Sequence, residues 1–243
     1  MYTAQKGNAL VRYCFLLCIL TLGILLSTCS RNPDSHALYI PINFQQLSNL
    51  SAEEFPGALK ALRGVDHINT FFADDQTRTA TLDFFAALTG SREISEAILD
   101  EAQAKNVSPG LAFALAYEES RYNPKAINRN KDSVDRGLFQ LNSKSFPKLS
   151  VEEFYVPQTN IRLGLAHLAF CLEQGKNDVS ALAMYNAGLT RVRKGGTPEA
   201  TLGYIFRITN YRTNLEALFE AQVVAQFTSD THLASAKIRS PKN

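Results

Sequence analysis

Residues 114–124 read A-L-A-Y-E-E-S-R-Y-N-P, and the stretch ending there decides the fold. From Leu111 to Ser120 the chain is apolar on nearly every side until two adjacent glutamates, Glu118 and Glu119, interrupt it. A helix that is hydrophobic all round is one buried within a domain. Ser108-Pro109 supplies an N-cap and a proline at the first helical position. Asn123-Pro124 is expected to close the helix, because the residue before proline disfavours the helical conformation.

Carboxylates at the C-terminal end of such a helix are electrostatically awkward. Burial raises a carboxyl pKa, and the negative end of the helix dipole disfavours another negative charge. Both effects favour a protonated acid near neutral pH, which is the state a general acid needs. A solvated acid at a helix end is the commoner fate of an isolated Glu-Glu pair, so the pair alone leaves both readings open.

Working outward, Ile94, Ile98 and Ala102 share one face of a helix expected over 92–106. A second is expected over 75–89, with Leu82, Phe85, Ala86 and Leu88 on its apolar side and Gly90 ending it. S-A-E-E at 51–54 fits a capping box, placing a short helix from about Ala52 to Gly64. Downstream, 125–142 changes to polar turn formers and then a short alternating piece, read as a loop and a small β-hairpin. Helices are expected again over 157–174, 178–187 and 198–226. The fold class is therefore mainly α.

The 243 residues are 45% hydrophobic and 20% charged, which suits one globular domain with a modest extension. A net charge of +2 carries no polybasic signature, so no nucleic-acid partner is expected. Tryptophan is absent, leaving any sugar stacking to the 9 Tyr or 15 Phe. The histidines show no ligand spacing that would support metal chemistry. Tyr13–Leu26 is an uncharged, mostly apolar run behind Lys6 and Arg12, too short for a comfortable span and of signal-peptide length. It ends in L-S-T-C at 26–29, which resembles a bacterial lipoprotein signal with Cys29 as the lipidated residue. Thr28 departs from the Gly, Ala or Ser usual before that cysteine, and ordinary signal cleavage or an uncleaved anchor are the alternatives. Each reading exports the domain. Cys171, in L-A-H-L-A-F-C-L, is read as a buried core thiol.

Five segments in order carry a resemblance: E-S at 119–120 with N-P-x-A at 123–126, S-V-D-R-G-L-F-Q-L-N-S at 133–143, N-I-R-L-G-L-A-H-L at 160–168, and A-L-A-M-Y-N-A-G at 181–188. Together they resemble the soluble lytic transglycosylase family, whose domain is a goose-type-lysozyme-like helical fold. The resemblance covers about 92–212, with a signal at 1–28, a tether and helical extension over 29–91, and a helix continuation and tail over 213–243. The hairpin segment is also similar to that of c-type lysozymes and of transglycosylases specialised for secretion systems.

The resemblance implies that Glu119, directly before serine, is the catalytic residue, with Glu118 a helix-surface acid and Ser120 packing or capping. It carries Ser133, Asp135, Gln140, Tyr185, Asn186 and Tyr204 over as substrate-binding residues. Leu202 stands where the family usually has arginine, a local departure. Asp135, sixteen residues after Glu119, has two readings: a carboxylate that stabilises charge on the sugar, or a turn aspartate that shapes the hairpin. Gly137 is expected to let the backbone approach a sugar, and Phe139 to stack a pyranose or to pack. The implied reaction cleaves the MurNAc–GlcNAc β-1,4 bond of peptidoglycan, leaves 1,6-anhydro ends and needs no metal or organic cofactor. The implied partners are glycan strands and, through Cys29, a membrane at the periplasmic face; an envelope machine is compatible. A hydrolytic muramidase using Asp135 and a non-catalytic wall-binding lipoprotein are the rival readings.

Overall fold

The computed structural model describes residues 66–228. The expected helix at 52–64, the signal segment and Cys29 lie outside the described residues. The order is α1 His67–Ala73, α2 Arg78–Thr89, α3 Arg92–Ala104, α4 Pro109–Ser120, then β1 Ile127–Arg129, β2 Val134–Arg136 and β3 Leu141–Asn142. A 3-10 turn at Glu153–Tyr155 leads into α5 Pro157–Gly175, α6 Asp178–Ala187, α7 Leu189–Arg193 and α8 Glu199–Phe219. A π-helical turn, Glu220–Val224, follows α8. The protein is thus mainly α with a small sheet, as its sequence implies.

Local chemistry sets most helix starts. Ser91 caps α3 by accepting from the Ile94 amide at 3.3 Å, and Asn177 caps α6 by accepting from Ser180 at 2.8 Å. Ile94, Ile98 and Ala102 are all buried, as their spacing requires. In α2 the covered face is Leu82, Phe84, Phe85 and Leu88, with Ala86 only partly covered. The helix starts at Arg78 rather than 75, because Asp74 and Asp75 belong to the turn after α1. There the Asp74 carboxylate accepts from the amides of Gln76 and Thr77. The sequence reading missed α1 and α7 altogether; both are too short to show a convincing period.

The core gathers around α4, whose residues from Leu111 to Ala116 are buried without exception. Phe113 of α4 stacks on Phe85 of α2 with centroids 4.0 Å apart, and Phe85 stacks in turn on Phe219 at 5.9 Å. Each such side chain contributes roughly 1.5–3 kcal/mol by leaving water. This cluster ties α2 and the end of α8 to the central helix, and His67 Nδ1 adds a hydrogen-bond contact to the buried Glu220 of the π-turn. On the other flank Tyr117 of α4 stacks on Tyr211 of α8 at 4.1 Å.

Two expectations need correction. The close of α4 is not made by Asn123-Pro124: the helix ends at Ser120, and Arg121 and Tyr122 both take left-handed backbone, with φ of 53° and 61°. Tyr122 is held there by burial, donating from its hydroxyl to the Phe113 carbonyl (3.2 Å) and sharing a hydrogen bond with Tyr211 (3.1 Å). The β element is also more than a hairpin, since β3 adds a third antiparallel strand in the order β1-β2-β3.

Candidate active site

Glu119 sits on the last turn of α4, one residue before the helix ends. Ser120 beside it donates from its hydroxyl to the Ala116 carbonyl at 3.1 Å and is buried, so it packs on its own helix, the first of the two roles expected of it. Tyr204 of α8 reaches across and donates from its hydroxyl to Glu119 Oε1 at 2.5 Å. Burial pushes the Glu119 carboxyl from its ordinary 4.5 up to about 8. The Tyr204 hydrogen bond opposes that rise, while the negative charges of Glu118 and Asp135 add to it. The rise foreseen from helix-end burial is therefore present, and loss of solvent is its largest cause.

Tyr185 and Tyr204 are both pushed well above the ordinary phenol range, first by burial and then by the nearby Glu119 charge. Both stay protonated and act as donors. Tyr185, on the last turns of α6, donates to the Phe139 carbonyl at 2.9 Å. Asn186 accepts from Thr201 Oγ1 at 2.7 Å, which ties the end of α6 to the start of α8. Leu202, where the family's arginine would stand, points outward and is 59% exposed, so this tie falls to its neighbour Thr201.

The sheet forms a second wall. Asp135 is at the centre of β2, opposite Asn128 on one edge strand and Asn142 on the other. Its Oδ2 accepts from Asn130 (2.8 Å) and Asn128 (3.3 Å), and its Oδ1 accepts from Asn142 (2.6 Å). Ser133 Oγ completes the knot by accepting from Asn142 at 2.8 Å and Asn130 at 3.2 Å. This geometry is that of a hairpin-shaping aspartate, with both carboxylate oxygens engaged by amides. Gln140 takes left-handed backbone (φ 44°) and donates from its amide to the Gly137 carbonyl at 2.8 Å, tightening the turn between β2 and β3.

Gly137 has a different purpose from the one expected. A Cβ there would lie 2.2 Å from the Asn160 amide nitrogen and 2.5 Å from the Phe154 carbonyl, so the close approach is protein to protein. Phe139 is fully buried and packs, leaving no face for a pyranose. Glu118 is no surface acid either: its side chain is 11% exposed, and Arg207 of α8 holds its Oε1 through Nε at 2.8 Å and Nη2 at 2.6 Å. Cys171 is a free, buried thiol, and burial pushes it up to about 11.

Asn160 was missed as a site residue. Its Oδ1 accepts from the Phe139 amide at 2.7 Å, and its Nδ2 donates to Arg136 (2.9 Å) and Phe154 (2.8 Å) carbonyls. It clamps the sheet to α5, one link from Tyr185. The signal was present: Asn160 lies in phase with Gly164, Leu168 and Cys171, so a polar group sits on the buried face of α5.

Residues 96–203 match the family described as the transglycosylase SLT domain, a span that contains Glu119, the sheet and Tyr185 and ends one residue before Tyr204. These residues are a transglycosylase SLT domain. The SLT domain also aligns with a soluble lytic murein transglycosylase of Salmonella typhimurium, 32% identical over 102 residues, 37% of this chain and 15% of that protein. The invasion protein IagB of Salmonella typhimurium is 32% identical over 95 residues, 36% of this chain and 59% of IagB. This chain therefore spans less than two thirds of either relative. The crystal structure of the 70 kDa soluble lytic transglycosylase of Escherichia coli superposes with a TM-score of 0.45 at 21% identity, over 71% of this chain and 32% of that one.

Proposed function

We propose that the protein is a lytic transglycosylase that cleaves the MurNAc–GlcNAc β-1,4 bond of peptidoglycan and leaves 1,6-anhydromuramic ends. The observation that carries the reading is Glu119, a carboxyl raised to about 8 and held by Tyr204, within a chain matched to the SLT domain over 96–203.

Near neutral pH Glu119 is protonated and donates its proton to the glycosidic oxygen as the C1–O bond breaks. The sugar's own N-acetyl group can assist at C1, a route open to glycosidases without a nucleophilic carboxylate. Glu119, now a carboxylate, accepts the proton of the muramyl C6 hydroxyl as that oxygen closes on C1. The Tyr204 hydroxyl stabilises the carboxylate between the two steps. Ring closure is intramolecular and so outruns water when the cleft is filled.

Substrate contacts are assigned to Gln140, Tyr185, Asn186 and Tyr204 along the cleft. Ser133 and Asp135 contribute by shaping the sheet that walls it. Cys29 is read as a lipidation site that holds the enzyme at the periplasmic face of a membrane, where it takes part in cell-wall remodelling. Digestion of purified sacculi in heavy-oxygen water tests the reaction. Unlabelled anhydro ends, lighter than reducing ends by one water, support it; labelled reducing ends make the protein a muramidase, and no release of fragments removes both.

A further inference from the structure

Immediately beyond Ser120, Arg121 and Tyr122 both take left-handed backbone, which residues bearing a Cβ rarely adopt. Strain of this kind persists only where the surroundings fix it. Here it folds Tyr122 back against α4, where its hydroxyl reaches the Phe113 carbonyl, nine residues earlier, at 3.2 Å. The Tyr211 hydroxyl of α8 lies 3.1 Å from the same hydroxyl oxygen. A carbonyl can only accept, so the Tyr122 proton goes to Phe113 and Tyr211 donates to Tyr122. Both side chains are buried, with Tyr122 6% and Tyr211 2% exposed. Phenylalanine would fill the same space; the hydroxyls add a fixed direction.

Tyr211 stands seven residues after Tyr204, about two helical turns, so both project from one face of α8. Ile208 between them and Leu215 beyond are fully buried on that face. The same helix meets α4 at successive points. Tyr204 donates to Glu119 Oε1 at 2.5 Å. Tyr211 stacks on Tyr117 at 4.1 Å and donates to Tyr122. Arg212 Nη2 reaches Ser108 Oγ at 3.3 Å, at the start of α4. The two helices therefore run antiparallel, and the length of the Tyr204–Glu119 hydrogen bond is set by where α8 stands along α4.

We propose that Tyr211 and Tyr122 are positioning residues that hold α8 in register along α4 and so keep the Tyr204 hydroxyl on the Glu119 carboxyl. They act through Tyr204. The groups that face Glu119 are Tyr204 of α8, Tyr185 of α6, Asp135 of β2 and its neighbour Glu118, itself held by Arg207. Tyr117 and Arg121 face the tyrosine pair. Burial pushes both phenols of the pair well above their ordinary range, so replacing either hydroxyl by hydrogen removes no charge. A change at Glu119 must then come through its distance to Tyr204. Loosening that hydrogen bond weakens the influence that lowers the Glu119 value, so the carboxyl holds its proton to higher pH. The consequence for rate rests on the transglycosylase reading; the proton on Glu119 does not.

The test titrates the full chain by NMR with heavy carbon in its glutamate carboxyls, Glu119 being the signal missing from Glu119→Gln. Wild type should ionise at about 8. Tyr211→Phe and Tyr122→Phe should each ionise at higher pH, in the direction of Tyr204→Phe and by less. Beside Tyr204→Phe neither should move the midpoint further, because the hydrogen bond they position is already gone. Muropeptide release should fall about threefold in each single variant, part of the roughly tenfold that a hydrogen bond to a charged group contributes. A midpoint unmoved in both single variants, or a shift that persists in full beside Tyr204→Phe, overturns the proposal and leaves the two hydroxyls to stability alone. Shifted midpoints in a protein that releases no fragments support the positioning and remove the transglycosylase reading.

Discussion

The Tyr204 hydroxyl donates to Glu119 Oε1 at 2.5 Å, joining the last turn of α4 to the first turns of α8 across 85 residues of sequence. Burial drives the Glu119 carboxyl up, and this hydrogen bond pulls it part of the way back. The result is an acid poised near neutrality whose conjugate base already has a donor in place.

Glu119→Gln should lower turnover by ~10²–10⁴-fold, the contribution of a positioned general acid–base group. Glu118→Gln should keep most activity, because the Glu118 carboxylate is held by Arg207 and not by Tyr204. Release of soluble muropeptides from sacculi measures both. Equal losses from the two variants would remove Glu119 from its assigned role.

The same carboxyl makes stability depend on pH. Its folded value, about 8, lies above its ordinary 4.5, so the folded state holds the proton more tightly. Its contribution is fully present below about 4.5 and is lost progressively as pH rises towards about 8, where the unfolded chain ionises and the folded one resists. Glu119→Gln should therefore melt at the same temperature as wild type at pH 4 and higher than wild type at pH 8. A gap that fails to widen with pH would show that the carboxyl is not buried as described.

Tyr204→Phe removes the group that stabilises the carboxylate, so the Glu119 pKa should rise further. The alkaline limb of kcat/KM, near pH 8 in wild type, should move to higher pH while the rate at the optimum falls about tenfold, the scale for a hydrogen bond to a charged group. An unmoved limb would mean that Tyr204 only packs.

The helical core was legible because α4 and α5 carry long, periodic or wholly apolar runs, and the order of motifs pointed to Glu119 before any contact was known. What stayed hidden is tertiary. Apolar patterning alone does not separate Glu118 from Glu119, and their contacts depend on Arg207 and Tyr204, more than 80 residues later. Gly137 read as a sugar contact, and Phe139 as a sugar platform or a packing ring, because sequence shows a freedom and an aromatic ring, but not that Asn160 and Gly164 occupy the adjoining space. The left-handed pair Arg121-Tyr122 has no glycine to announce it; its conformation is set by the buried Tyr122 hydroxyl.

Gly164 offers a test of that packing. A Cβ there would lie 2.4 Å from both Cβ and Cγ of Phe139, and that Cβ moves only with the backbone. Gly164→Ala should cost about 1–3 kcal/mol by overpacking. It should also displace the Phe139 carbonyl to which Tyr185 donates, so activity should fall even at temperatures where the variant is folded. Denaturant unfolding together with muropeptide release separates the two effects; full activity in a destabilised variant would place Tyr185 outside the mechanism.

Asp135 separates shape from chemistry. Three asparagine amides donate to its two oxygens, an arrangement that needs acceptors at both positions. Asp135→Asn turns one acceptor into a donor facing other donors, and removes the charge. The sheet should weaken by roughly 1–3 kcal/mol, the range for losing hydrogen bonds to a charged group. The Glu119 pKa should fall slightly, since the Asp135 charge helps to raise it. The products should not change in kind. A nucleophilic carboxylate must form a covalent bond to the sugar, and a carboxylate acting as base must activate water. Asp135 would have to leave its asparagines for either task. Anhydro ends from the variant, identical in mass to those of wild type and free of heavy oxygen, are the expected outcome. Labelled reducing ends from wild type that disappear in Asp135→Asn would assign the carboxylate a chemical role and overturn the structural one.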